Sequence, residues 1–221
     1  MCKGQHLDIN VTTEHDIKST ISIYVEANKY HPHLRCCQKI GKLFSKHRPN
    51  TYRKNCKDKG DMHVVGTGKL GSSNVGTYKL TESKGVQEEL HHLGREEKYY
   101  RNIGFGDTVD IIKKNKKHNN HPSMKDCFVS SIVSSCNYIN AAHYDVDDTC
   151  AGIVTWTFDG KDEPIEWYFI LPNVSLDGNK ATIIRLQHGL SLKIDASLIM
   201  HCSTIQLRRK TDKVYSTFFG T

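Results

Sequence analysis

The sequence holds no run of about 18 apolar residues, the length a helix needs to cross a bilayer, which excludes an ordinary helical membrane protein. Proline is scarce, 5 in 221 residues, so Pro-rich linkers and collagen-like architectures are excluded as well. No two cysteines have the CxxC spacing of a paired-thiolate zinc module. The glycine-rich stretch GTGKLGSS at 66–73 lacks the Gly-Lys-Ser/Thr ending of a phosphate loop and reads as a loop or hairpin. No repeat of 20 to 50 residues is present, which excludes a solenoid. The opening residues MCKGQHLDINVTTEHD contain no apolar signal segment, so the expectation is an intracellular protein, nuclear or cytoplasmic, without membrane contact.

What is there begins with eight cysteines, Cys2, Cys36, Cys37, Cys56, Cys127, Cys136, Cys150 and Cys202. In a reducing compartment these are expected to be thiols and not disulfides. One patch, His31, His33, Cys36, Cys37, His47 and Cys56, is dense in ligand types, but its spacing is irregular for zinc and favours a polar loop region. The net charge of +7 is unevenly spread. Residues 1–125 carry 23 Lys and Arg against 13 Asp and Glu, whereas residues 126–221 carry 8 against 11. A basic half beside a weakly acidic one suits contact with a polyanion such as DNA or RNA, and equally a solvated basic face. The Lys113–Lys117 run, ending in His118, Asn119 and Asn120, reads as an exposed loop.

The pattern divides near residue 126. Before it, Ile21 to Val25 reads as a strand, Leu34 to Phe44 as amphipathic, and the stretch from Ser83 as a helix placing Val86, Leu90 and Leu93 on one face until Gly94 interrupts it. After it, short β-rich runs follow one another: Cys127–Ile139, Gly152–Phe158, Glu166–Leu171, Ala181–Leu186, Leu190–Ile194, Leu198–Cys202 and Val214–Phe219. The expected fold is therefore mainly β with flanking helices (α+β). Residues 126–221 form a jelly-roll core, and residues 1–125 form a basic region of helices and loops around it.

Within the β-rich half stands Asn140-Ala-Ala-His143-Tyr144-Asp145. Alternation along a strand would point His143 and Asp145 the same way, so that both could hold one metal ion. His201, on a later strand, supplies a third ligand. Two imidazoles and one carboxylate form a facial triad, which leaves coordination positions open on a metal such as Fe(II). Asn140 and Tyr144 flank these ligands and are expected as supporting or substrate contacts. His188, His91 and His92 read as ordinary hydrogen-bonding histidines, and Asp147 and Asp148 as loop acids. Trp156, Trp167 and Tyr168 read as barrel packing.

From the His143-x-Asp145 pair, the stretch GLSLKIDASLIMH that runs from Gly189 to His201, and the final run KVYSTFF, residues 127–221 resemble the Fe(II)- and 2-oxoglutarate-dependent dioxygenases. The resemblance implies a double-stranded β-helix, with Fe(II) held by His143, Asp145 and His201. It implies 2-oxoglutarate and dioxygen as co-substrates, and oxidative decarboxylation of 2-oxoglutarate to succinate coupled to hydroxylation of a C–H bond. It further implies a basic residue near the start of the last strand for the far carboxylate of 2-oxoglutarate. Lys213 fits by position, and Arg209, with its neighbour Arg208, offers the bidentate fork that a lysine lacks. The basic first half makes the branch acting on methylated nucleic-acid bases, with its TET and J-binding members, the leading expectation for substrate; peptidyl and small-metabolite substrates stay open. Two alternatives stand beside it: a catalytically inactive β-barrel that binds a ligand, and a cupin-like iron enzyme that needs no 2-oxoglutarate.

Overall fold

The computed structural model describes residues 4–12, 18–50, 59–70, 74–93, 96–116, 122–145, 152–163, 166–174, 181–207 and 209–220. Eleven strands run through these residues: β1 (Gln5–Thr12), β2 (Lys18–Val25), β3 (Lys59–Leu70), β4 (Asn74–Thr77), β5 (Ser131–His143), β6 (Gly152–Asp159), β7 (Glu166–Leu171), β8 (Thr182–Arg185), β9 (Leu190–Ile194), β10 (His201–Gln206) and β11 (Lys213–Gly220). Four helices accompany them, α1 (Pro32–Phe44), α2 (Lys84–Leu93), α3 (Glu97–Asn102) and α4 (Gly106–Asn115).

The strands join in the order β1-β2-β9-β6-β11-β5-β10-β7-β8, with β3 added on β5 and β4 on β3. Every pairing is antiparallel. β5 is the pivot. Its first half lies between β11 and β3, and its last residues pair with β10, which leads to β7 and β8. One long sheet is thereby curled so that its two ends face each other, the arrangement of a jelly roll. Residues before 126 supply four strands besides the helices: β2 bonds to β9 and β3 to β5, both in the second half.

Two apolar clusters lie on opposite faces of the larger sheet. The inner one joins Val154, Trp156 and Phe158 of β6 and Leu192 of β9 to Trp167, Phe169 and Leu171 of β7. The outer one packs Ile40 and Phe44 of α1, Leu90 and Leu93 of α2, Tyr100 and Val109 against Ile132, Ile153 and Phe219 on the back of the sheet. Because β6 is covered on both faces, its residues are buried almost without interruption. Thr155, fully buried, meets both the Tyr100 hydroxyl at 2.9 Å and the Ser191 hydroxyl at 2.8 Å. Each large side chain removed from water here contributes roughly 1.5–3 kcal/mol before entropy is subtracted.

The sequence patterns mark the central strands and shift at their ends. β5 runs on past Ile139 to His143, and β10 starts at His201 instead of Leu198. Asp195 causes the second shift: its carboxylate accepts from the backbone N–H groups of Ser197 and Leu198 and from the Ser197 hydroxyl, holding the chain in a turn. Lys113 and Lys114 close α4 instead of lying in a loop. Lys117 to Asn120, Gly94, Asp147, Asp148 and Arg208 lie outside the described residues. Cys36, Cys37, Cys127, Cys136 and Cys202 are thiols, and the remaining three cysteines lie outside the described residues.

Candidate metal centre

β5 is irregular at two places, and an asparagine bridges each. Asn137 adopts a left-handed conformation with φ 50°, which Asn tolerates better than most residues. Its side-chain oxygen accepts from Val214 N–H at 2.9 Å and its amide donates to Asp212 O at 3.3 Å, replacing the ladder bonds that the bulge interrupts. Opposite it on β3, Gly60 has φ 95°, and a Cβ there would collide with the Asn137 carbonyl. Three residues further on, His143 pairs with His201 but Asn140 with Ser203, so three steps along β5 face two along β10. Asn140 Oδ1 accepts from both the backbone N–H and the hydroxyl of Ser203, each at 2.7 Å. Strict alternation would turn Asn140 and His143 to opposite faces. With the bulge, both line the same cavity.

On the wall of that cavity, His143 is the last residue of β5 and His201 the first of β10, with ring centroids 4.3 Å apart. Asp145 is not on the strand. It lies two residues beyond, where its N–H donates to Ala196 O at 2.9 Å, so a loop bond and not strand alternation aims its carboxylate. One ligand atom from each of His143, Asp145 and His201 lies within 4.8 Å of the others. The Asp145 oxygens are 3.3 Å from His143 Nε2 and 3.6 Å from His201 Nε2.

The tautomers follow from the partners. His143 Nδ1 is 2.7 Å from Ala141 O, and His201 Nδ1 is 3.0 Å from Ile199 O. A carbonyl oxygen only accepts, so both Nδ1 atoms carry the proton and, in the neutral rings, both Nε2 atoms keep a lone pair. His143 Nε2 is buried and makes no hydrogen bond; the Asp145 oxygen beside it is near but not aligned as one. A buried acceptor in that state is costly unless something occupies it, and a divalent cation between the two imidazoles and the carboxylate would do so. The residues fit a metal ion.

The cavity measures about 170 Å³. Trp156, Trp167 and Phe169 form an aromatic wall, and Phe169 stacks on His201 at 5.4 Å. Its polar lining includes Asn140, Tyr138, Ser203 and the Ser135–Ser216 hydroxyl pair, whose oxygens are 2.7 Å apart. Among the described residues no lysine or arginine lines it. On β11 Val214, Tyr215, Ser216 and Phe218 line it, but the Tyr215 ring lies against Gly41 of α1 on the other face, the face that Lys213 shares by alternation. Lys213 instead lies near Cys136, whose thiol is pushed up by burial and drawn partly back by that charge. Arg209 is bound to acids, with Asp162 Oδ2 at 3.1 Å and Asp212 Oδ1 at 4.0 Å. The structure thus brings His143, Asp145 and His201 together and sets Lys213 and Arg209 outside the cavity lining. Tyr144 also stays out of it, its hydroxyl accepting from Asn173 at 3.5 Å. The Ser135–Ser216 pair went unseen in the sequence, since nothing local marks two serines 81 residues apart as neighbours.

Among the described residues, the His/Cys patch of the first half does not gather into one metal-ligand set, although His33 and Cys37 touch. His31 caps α1, its Nδ1 accepting from His33 N–H, and His33 and Cys37 are core residues of that helix. The His47 carbonyl accepts from His63, and Cys56 lies outside the described residues.

No family model matches this chain, and no curated protein matches it in sequence. Solved structures do match in shape. One described as NgTET1 in complex with 5mC DNA superposes with a TM-score of 0.65 at 11% identity, over 90% of this chain and 71% of that one. An oxidoreductase of the 2OG-Fe(II) oxygenase family from Burkholderia pseudomallei superposes with a TM-score of 0.53 at 9% identity, over 91% of this chain and 84% of that one. The chain has the fold of the 2-oxoglutarate- and Fe(II)-dependent oxygenases. The jelly-roll core expected from the short β-rich runs is present, with helices flanking it.

Proposed function

We propose that the protein is an Fe(II)- and 2-oxoglutarate-dependent dioxygenase that hydroxylates a C–H bond, with a methylated nucleic-acid base as its leading substrate. The observation that carries this reading is the convergence of His143, Asp145 and His201 on the wall of one cavity, both imidazoles presenting Nε2. His143 and His201 would hold Fe(II) from the paired ends of β5 and β10, and Asp145 from the loop. Bound together, Fe(II) and 2-oxoglutarate supply a dioxygen-derived oxidant able to hydroxylate a C–H bond, with succinate and carbon dioxide as by-products.

The chain's own contributions are positional. Backbone carbonyls fix the two rings, so that little reorganisation is needed when metal binds. His143, Asp145 and His201 would supply three ligands, a number that leaves coordination positions for co-substrates. Trp156, Trp167 and Phe169 keep that space poor in water, which protects a reactive centre from side reactions. For the nucleic-acid substrate the support is the excess of basic residues in positions 1–125 and the likeness in fold to a protein solved with 5mC DNA.

Anaerobic addition of Fe(II) and then 2-oxoglutarate to metal-free protein tests this reading. A visible charge-transfer band that is absent from His143→Ala supports it, followed by turnover on methylated DNA or RNA. A second reading, an iron enzyme that uses no 2-oxoglutarate, draws on the missing lysine or arginine among the described cavity-lining residues. Iron binding without the band, together with oxygen consumption independent of 2-oxoglutarate, would favour it. Folded protein that binds no iron would favour the inactive barrel.

A further inference from the structure

Asn140 has a fixed orientation, and that orientation has a chemical consequence. A backbone N–H only donates, so the side-chain atom 2.7 Å from Ser203 N is the amide oxygen. The Ser203 hydroxyl, 2.7 Å from the same atom, donates to it too. The Asn140 oxygen is therefore saturated from one side, and its NH₂ group is turned the other way. Asn140 lines the cavity, and among the described residues that NH₂ has no protein acceptor.

We propose that the Asn140 amide donates a hydrogen bond to a carboxylate oxygen of the small 2-oxo acid that shares the metal site, making Asn140 a ligand-binding residue. This rests on the 2-oxoglutarate reading above. Its position suits the role: three residues before His143 with one bulge between, Asn140 is roughly 7–10 Å from His143 along β5. An extended five-carbon diacid that reached from the triad into the cavity would come within range of this residue. Neutral donors surround the same path, Tyr138 on β5 and the Ser135–Ser216 pair, and the donor direction of Asn140 is fixed by the bonds its oxygen makes to Ser203. The same side chain thus has two jobs on its two ends: the oxygen closes the bulge that turns His143 inward, and the nitrogen meets the ligand.

Asn140→Asp separates those jobs. Aspartate keeps an acceptor for both Ser203 bonds but has no donor and carries a charge that repels a carboxylate. Calorimetry with metal-free protein would measure Co(II) binding, and then 2-oxoglutarate binding to the Co(II) form. The expected result is Co(II) affinity within about threefold of wild type, while 2-oxoglutarate binds roughly ten- to a hundredfold more weakly, the span of a lost hydrogen bond to a charged group. Ser203→Ala, which leaves the nitrogen in place, should keep 2-oxoglutarate binding within about threefold. An Asn140→Asp variant that binds 2-oxoglutarate as tightly as wild type overturns the proposal and leaves the dioxygenase reading intact. A wild-type Co(II) form that binds no 2-oxoglutarate overturns both.

Discussion

Among the described residues, two largely buried clusters join histidine to a carboxylate, and they are arranged differently. On the helical side, His33 of α1 is 1% exposed, stacked on Tyr99 at 3.9 Å and in contact with Glu96 through Nδ1. Its Nε2 faces the buried Cys37 thiol at 3.6 Å. In a neutral ring Nδ1–H donates to the Glu96 carboxylate, and Nε2 accepts from the thiol, whose proton burial holds in place by pushing its pKa well above the ordinary range. Sulfur, imidazole and carboxylate lie in a row, as in nucleophilic enzymes, yet the thiol is sealed in and its partners satisfy one another. Where β5 meets β10 the same residue types do not form a row. Backbone carbonyls take the Nδ1 atoms, and the Nε2 atoms converge with Asp145 on one point. What separates the two settings is what Nε2 meets: a buried thiol beside His33, and a carboxylate and a second imidazole beside His143 and His201.

The largest effects should fall where that difference is removed. His143→Ala, Asp145→Ala or His201→Ala is expected to lower divalent-metal affinity at least about a hundredfold, since each deletes one of three protein ligands. His33→Ala should leave metal affinity unchanged. Calorimetric titration with Co(II) on all four variants checks both halves of the comparison, and a large loss of affinity in His33→Ala would break it.

Stability should respond the other way round. His33→Ala opens a hole between Tyr99 and Tyr100 and leaves Glu96 without its partner, a cost of about 2–4 kcal/mol, measured by denaturant unfolding. His143→Ala on the metal-free protein should cost about 1 kcal/mol or less, since it removes a half-buried ring and an orphaned acceptor together.

A pH series sharpens the contrast. Burial lowers the pKa of His33 below its ordinary 6.5, outweighing the opposing pull of Glu96. Its folded-state value therefore lies below its unfolded one, and the neutral ring's contribution is full above about pH 6.5 and lost as pH falls below it. Unfolding free energy should decline between pH 6.5 and 5, with this one group supplying at most about 1.4 kcal/mol per pH unit. His33→Phe should flatten that decline, measured as the difference between the two unfolding profiles. Glu96, His31 and Glu26 carry the charges that act on His33, and Cys37, Tyr99 and Tyr100 its contacts, so their protonation must be followed in the same range.

How far the sequence showed this depends on whether a feature is periodic. The inner strands were legible because a residue covered by a second layer must be apolar, and β6, β7, β9 and β11 wrote that requirement as short hydrophobic runs. The triad residues were legible from the motif, but the geometry offered for them was not the one that holds them. Alternation was to align His143 with Asp145, whereas a bulge turns the first inward and the bond to Ala196 aims the second. Bulges interrupt a period, so a period cannot reveal them. Asn137 and Asn140 were the only local trace, and their role depends on Val214 and Ser203, more than 60 residues away. β1 was missed although Leu7, Ile9 and Val11 alternate, because Leu7 is exposed and the strand is an edge with one covered half.

The smallest expected effect concerns the basic residue assigned to 2-oxoglutarate from the motif. Lys213 opens β11 opposite Asp159, out of step with the cavity-lining Val214 and Ser216, and Arg209 already pairs with Asp162 and Asp212. A cation outside the cavity acts on a ligand inside it only across distance and solvent, where a charge is worth about 1 kcal/mol or less. Lys213→Ala and Arg209→Ala should therefore each change 2-oxoglutarate affinity by no more than about fivefold, less than Asn140→Asp. The order of these three variants decides how the cavity holds a dianion. If Asn140→Asp is weakest, neutral donors fixed by the β5 bulge carry the binding. If Lys213→Ala is weakest, the start of β11 must rotate its lysine inward when ligand arrives, and the register with Asp159 would have to change with it.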